Sequence, residues 1–345
     1  MLRKLAVAVA AILLFILALE LLKRGAAGFG PFLKDTLRIT NAANTLGFGW
    51  LFAYVVLSGS PVAAISLSFF ASGTIDAVQT FSMITGSRLG ASFIVLFVGF
   101  LYFLRGHQRA ASISIGILCL LVTATVYLPA MGVGYWLLTR GVLDAIQFGT
   151  PGALTSVLDL IYDPIVAAVV GVVGRWPFVV FLLGMGTLLF SFNLLDRALP
   201  EIDPERSGFE RVGRLVYRPM AMFVLGMAVT SVTLSVSVSL SILVPLSAKG
   251  FIRRENTLPY IMGANITTFI DTLFAALLMG GSQAFTIVLV EMLSVAGISI
   301  LILVFMYRWY ERGIVWLLDV IMGTNRGLAI FMGVMLVVPI GLLLI

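Results

Sequence analysis

The sequence predicts an all-α polytopic membrane protein with about 8–10 membrane segments, arranged as two inverted repeats that contain broken or re-entrant helices. Three observations carry this reading. Of 345 residues, 60% are hydrophobic and 11% charged, with a mean hydropathy of +1.11, whereas soluble domains carry about 25% charged residues. The apolar residues fall in runs near the length needed to cross a bilayer. Residues 49–97 also align, without gaps, on the residues 177 positions later. The net charge of +6 comes from short basic clusters between apolar runs, the pattern of cytoplasmic loops. It therefore points to a bilayer and not to nucleic acid.

Taken in order, apolar segments fall at roughly 5–22, 44–72, 78–104, 110–138, 160–173, 177–195, 215–247, 257–280, 284–306 and 314–345. The first follows a basic start and is closed by Glu20, Lys23 and Arg24 without a small-residue cleavage pattern. It reads as an uncleaved first helix, with a signal peptide as the alternative. Segment 160–173 is short for a crossing. Segments 44–72 and 215–247 are long enough for one crossing plus a break, or for a re-entrant hairpin. The stretch 196–219 is the longest polar run, holds five arginines, and reads as a cytoplasmic connecting loop. It divides the chain into an N-terminal half, 1–195, with a repeat core at 45–105, and a C-terminal half, 220–345, with a core at 220–282.

The residue inventory excludes several chemistries. Cys119 is the single cysteine and lies in an apolar run, so no internal disulfide forms; His107 is the single histidine, in "RGHQR". HExxH, CxxC, Walker motifs and clusters of metal-ligand spacing are missing. No enzyme activity, catalytic residue or organic cofactor is expected.

The internal repeat is ordered. Offset by 177, Gly49 meets Gly226, Leu57 meets Leu234, Ser58 meets Ser235, Ser60 meets Ser237, Gly73 meets Gly250, Thr80 meets Thr257 and Gly86 meets Gly263; identities number 14 in 49 positions. Related halves, each with a Gly- and Ser-interrupted hydrophobic segment, are a mark of secondary transporters. In "TSVTLSVSVSLSILVP", residues 230–245, hydroxyls occupy every second position from Ser231 to Ser241. On a continuous helix these would wet the whole circumference, so the run predicts a helix break lining a cavity. There, freed carbonyls can bind a cation, and amide N–H groups an anion. The competing reading is a small-residue packing face.

The same landmarks resemble the sodium–phosphate cotransporter family. Its halves each carry Gln-Ser-Ser-Ser, then Ala-Gly, then Gly-Ala-Asn-Ile-Gly-Thr-Thr. The second half here reads "LSVSVSL" at 234–240, "SAKGF" at 247–251 and "GANITTF" at 263–269; the first reads "LSGSPVA" at 57–63, "FASGT" at 70–74 and "GSRLGAS" at 86–92. The resemblance covers about 45–105 and 220–282. It implies sodium and phosphate bound between two Ser-rich breaks in inverted repeats. Ser58, Ser60, Ser235 and Ser237 fall on the Ser-rich motif, Asn265, Thr267 and Thr268 on the second Gly-Ala-Asn motif, and Gly90, Ala91 and Ser92 on the first. The resemblance implies a candidate sodium site at Ser58, Ser60, Ser235, Ser237 and Thr268. Departures from the pattern are Leu57 and Leu234 for the glutamines, Gly59 and Val236 for the middle serines, and Arg88 for the first-half Asn. A different oxyanion, a small organic acid or a different coupling ion is therefore an open alternative. The family's regulatory C-terminal domain is not expected.

Charges inside apolar segments are costly unless paired or functional. Arg88 and Asp271 are expected near each other or near one ligand. Glu291 reads as structural or interfacial, and Asp76, Lys249, Arg253 and Arg254 as interface charges flanking turns. The function expected is sodium-coupled uptake of phosphate or a related anion across the cell (inner or plasma) membrane, with a homodimer as an open assembly state. The rivals are a passive channel and a non-transporting membrane protein.

Overall fold

The computed structural model describes residues 2–104, 109–146, 148, 152–173, 176–198, 218–248, 252–279 and 281–345. His107, Lys249 and most of the 196–219 connecting loop lie outside these residues, as do the side chains of Ser237 and Ser241. Every regular element among the described residues is helical. Among the described residues, eight continuous helical stretches are long and apolar enough to cross a membrane, and three shorter apolar helices accompany them. The chain is thus an all-α, multi-pass protein by helix length and composition.

The N-terminal half begins with α1 (Leu2–Pro31), followed by α2 (Ala42–Val56), α3 (Gly59–Ala71), α4 (Ala77–Leu104), α5 (Arg109–Thr139), α6 (Gly152–Val173) and α7 (Pro177–Ala198). The C-terminal half holds α8 (Pro219–Thr233), α9 (Val236–Ser241), α10 (Leu243–Ala248), α11 (Thr257–Thr267), α12 (Phe269–Leu278), α13 (Ser282–Leu301), α14 (Tyr307–Gly323) and α15 (Asn325–Leu344). The segment anticipated at 160–173 starts earlier, since α6 runs 22 residues and is long enough to span. The segment anticipated at 314–345 is two helices. Thr324 leaves the helical backbone and its side chain accepts the Gly327 N–H, starting α15 anew. A hydroxyl cap of this kind satisfies an N–H that the helix start leaves free. α14 belongs with α13, the two joined through a π-helical turn at Ile302–Met306. It carries Arg308, Glu311, Arg312 and exposed Trp309 and Trp316, the composition of a headgroup-level segment.

Two helix pairs are built alike. At the α2–α4 crossing, a Cβ on Gly49 would lie 2.3 Å from Met83 O, and one on Gly86 would lie 2.1 Å from Leu46 O. At the α8–α11 crossing, a Cβ on Gly226 would lie 2.1 Å from Tyr260 O, and one on Gly263 would lie 2.1 Å from Phe223 O. Each of these eight residues stands 177 positions from its counterpart. The aligned glycines therefore mark two backbone-to-backbone contacts that no side chain fits, the small-residue packing that membrane helices use in place of a hydrophobic driving force.

The halves do not sit apart. α3 packs on α12, α9 packs on α4, and α5 touches both α4 and α11. One continuous apolar core contains residues from both halves. α1 and α7 join this core and clamp together, with Gly25 backed against the Phe181 backbone and Phe29 stacked on Phe181 at 4.5 Å.

Because the crossings match, Gly86→Ala and Gly263→Ala should be equally damaging. Each forces a Cβ into a carbonyl, an overpacking cost of about 1–3 kcal/mol or more. Thermal unfolding in detergent should show a clear, comparable loss for both; wild-type stability in either variant would contradict the matched crossing.

Candidate functional site

The site is organised by two helix breaks. α2 ends at Leu57 (φ 54°, ψ 31°), and Ser58 then runs extended (φ −161°, ψ 140°) into α3. α8 ends at Leu234 (φ 49°, ψ 18°), and Ser235 runs extended (φ −141°, ψ 116°) into α9. A leucine in left-handed backbone costs roughly 1–2 kcal/mol, so both turns are held by their surroundings. The structure thus bears out the expected breaks, at the aligned positions.

Among the described hydroxyls of the 230–245 run, Thr233 and Ser235 serve the break itself and the others bond elsewhere. Ser231 donates to Met227 O at 2.8 Å, and Thr233 donates to Ser235 O across the turn at 3.2 Å. Ser235 accepts the Val238 N–H at 3.3 Å. Thr230, Ser239 and Tyr260 form a buried chain, with Oγ1–Oγ at 2.7 Å and Oγ–OH at 2.9 Å. In the first half, Ser58 starts α3 without capping it.

Arg88 of α4, 2% exposed, meets residues of both halves. Its Nη1 donates to Ser60 Oγ from the first half and to Thr268 Oγ1 from the second, both at 3.3 Å. Its Nη2 donates to Thr272 Oγ1 and lies 3.7 Å from Asp271 Oδ1. The guanidinium also sits 4.9 Å from the centre of the Phe269 ring, close enough for a cation–π contribution. Thr272 in turn donates to Asp271 Oδ1 at 2.8 Å. The ion pair is loose: 3.7 Å exceeds the 2.7–2.9 Å of a charge-assisted hydrogen bond, and both Arg88 Nε and Asp271 Oδ2 are buried without a partner. Arg88 and Asp271 are therefore neighbours, as expected from the sequence, yet neither is fully satisfied.

A second group of polar residues ties the motifs to α5. Ser92 donates to Thr123 Oγ1 at 2.8 Å, Asn265 Nδ2 donates to the same oxygen at 3.1 Å, and Tyr127 donates to Asn265 O at 2.9 Å. The Asn265 position aligns with Arg88, so α5 joins the two motif segments through Thr123. Thr267 is not part of this group; its hydroxyl bonds back to Gly263 O at 3.3 Å. Ser235 is used locally, and the Ser60 and Thr268 oxygens accept from Arg88. A sodium ion at Ser60 or Thr268 would need Arg88 to move, because a guanidinium repels a cation beside it. No cluster of three or more His, Cys, Asp or Glu residues occurs among the described residues.

Sequence reading missed Thr123, Tyr127, Thr272 and the Phe269 ring. The hydroxyls of "TATVY" at 123–127 inside an apolar run, and Thr272 beside Asp271, were the available signals. An apolar cavity of about 210 Å³, walled by Phe15 of α1 and Phe192 of α7, reaches both Leu234 and Asp271. It places the second break and the half-satisfied carboxylate on one space.

Comparison with family models, curated proteins and solved structures finds no match to this chain.

Thr123→Val should uncouple the two motif segments. It strands one buried donor, Asn265 Nδ2, at about 1–3 kcal/mol for a group left unsatisfied, while Ser92 Oγ falls back on Arg88 O at 3.2 Å. Unfolding in detergent should record that loss, and it should shrink when Asn265→Leu is added. Additive losses would show that Thr123 does not join these residues.

Proposed function

We propose that this chain is a secondary active transporter that takes up phosphate or a related inorganic anion together with sodium, across the cell membrane, with the anion held at Arg88 between the two helix breaks. The observation that carries the reading is Arg88 itself. A guanidinium buried at membrane depth is costly and is normally functional. This one is held by Ser60 from one half and by Thr268 and Thr272 from the other, and it keeps a donor unpaired.

The matched breaks and crossings support two inverted repeats. α3 of one half lies on α12 of the other, and α9 lies on α4; such an exchange is what a two-fold axis in the membrane plane would produce. Breaks at the core of such a protein free carbonyls for sodium and amides for an anion. The resemblance to the sodium–phosphate cotransporter family supports the substrate class. The lost motif glutamines at Leu57 and Leu234 fit it less well, and Arg88 offers a chemical substitute. A guanidinium presents five N–H donors in a planar fork suited to oxyanions. Other oxyanions and small carboxylates fit the same fork.

One observation favours a second reading. Arg88 already has Asp271 within ion-pair distance, so the pair could be a strut in a non-transporting protein. Uptake by reconstituted vesicles, using labelled phosphate, sulfate and small carboxylates with and without sodium, separates the two. The transporter reading expects sodium-stimulated accumulation of an anion. It also expects Arg88→Gln to weaken that anion more than tenfold, since hydrogen bonds to charged groups contribute about 1.5–3 kcal/mol each. Asp271→Asn should change the ion dependence, and the double variant should be no better than either single one. A strut predicts that the double neutralisation partly restores what each single change impairs. Full uptake by both single variants would remove the pair from the mechanism.

A further inference from the structure

We infer that Glu291 is a proton-binding site, and that its proton sets the charge of the buried polar core around Arg88 in which the anion binds. The anion half of this statement rests on the function proposed above; the proton site does not. Glu291 lies on α13 and is 2% exposed. Its Oε1 is 2.8 Å from Thr85 Oγ1 of α4, and its Oε2 is buried without any partner. No arginine or lysine pairs with it among the described residues.

Two independent counts point to the proton. The first is of charge. Among the described residues, the buried charged side chains are Arg88, Asp271 and Glu291. With all three ionised, the interior holds one positive and two negative groups. An uncompensated charge in a dry interior is strongly unfavourable, and one proton on Glu291 removes it. The second count is of hydrogens. Thr85 Oγ1 stands within bonding distance of two oxygens, Phe81 O at 3.0 Å and Glu291 Oε1 at 2.8 Å. A hydroxyl has one hydrogen to give. If Glu291 carries a proton on Oε1, it donates to Thr85, Thr85 donates to Phe81 O, and every short contact holds a hydrogen. If Glu291 is ionised, Thr85 must turn its hydrogen to the carboxylate, and one contact loses its hydrogen. The threonine can serve either state by rotating one bond.

The groups that face Glu291 leave this assignment intact. Arg88 of α4 is the nearby cation, and it is engaged by Asp271 and three hydroxyls. Tyr127 of α5 also lies close, with its hydrogen committed to Asn265 O. Asp271 of α12 faces Arg88 at 3.7 Å. α3 carries no titratable residue, and Tyr260 of α11 is occupied by Ser239.

An arriving anion adds negative charge beside Arg88. It is opposed when Glu291 is ionised and tolerated when Glu291 is protonated. Proton and anion therefore bind with positive coupling, and each raises the affinity of the other. Where free Glu291 is ionised and the anion-bound form protonated, anion affinity should fall by about tenfold per pH unit as pH rises.

Infrared difference spectroscopy on the full-length protein in lipid nanodiscs tests the proton site without any substrate. A protonated-carboxyl C=O band should appear as pH is lowered at fixed salt. It should vanish in Glu291→Gln and persist in Asp271→Asn. Should Glu291→Gln not fold, Thr85→Val serves instead: losing the hydroxyl partner should move the same band to higher frequency. A band untouched by both changes, or a carboxylate band at Glu291 that responds to exchange of sodium for potassium, would overturn the proton assignment. Binding of inorganic sulfate, whose charge stays constant from mild acid upward, tests the coupling. The pH slope should be lost in Glu291→Gln. The same slope in that variant would sink the coupling while leaving anion binding standing. A well-behaved band with no sulfate or phosphate binding at any pH would sink the anion reading and leave the proton site standing.

Discussion

The burial of one guanidinium constrains the rest of this molecule. Arg88 cannot reach water from the middle of α4, so neighbouring helices must bring it partners. They do so from both halves of the chain: Ser60 after the first break, then Thr268, Asp271 and Thr272 around the start of α12. These partners require α3 to lie on α12, and the close α2–α4 and α8–α11 crossings fix where both breaks fall. The pairing is incomplete, with an open Nε and an open Oδ2. Complete pairing would have made a rigid strut. A loose pair among hydroxyls can exchange one partner for a ligand at modest cost.

Much of this was legible in the sequence because the repeat is local. The aligned Leu-Ser steps became the two left-handed turns, and the aligned glycines became the two backbone contacts. The proximity of Arg88 and Asp271 followed from the cost of isolated charge at membrane depth. What was not legible came from elements outside the aligned segments. Thr123 and Tyr127 sit on α5, which has no counterpart in the alignment, so nothing in 49–97 or 226–274 could announce them. The serine run was readable as a break but not residue by residue. Which hydroxyl caps and which bonds back to a carbonyl depends on a local backbone turn that period-two spacing does not encode. The division of 314–345 into α14 and α15 was missed because Gly323 and Thr324 are a weak signal within an apolar stretch.

Thr85, Ser92 and Arg88 lie on one helix, and each is matched to a different neighbour: Glu291 on α13, Thr123 on α5, and Asp271 with Thr272 on α12. α4 is thus the element these three polar contacts share. A rotation or tilt of α4 against α12 and α13 would change the Arg88 pairing and the Glu291 environment together. This gives a physical route by which charge movement in the core and helix movement could be linked, without any signal passing through the periphery.

The central claim is that Arg88 gives up part of its hold on Asp271 to an anion seated between the two breaks. An experimental structure in lipid, obtained with phosphate and sodium present and again without phosphate, tests this most directly. The account predicts tetrahedral density within hydrogen-bond distance of the Arg88 guanidinium and of the Ser58–Ser60 or Ser235 segment, with the Arg88–Asp271 separation increased. An Arg88–Asp271 contact unchanged by phosphate, with no density between the breaks, would contradict it.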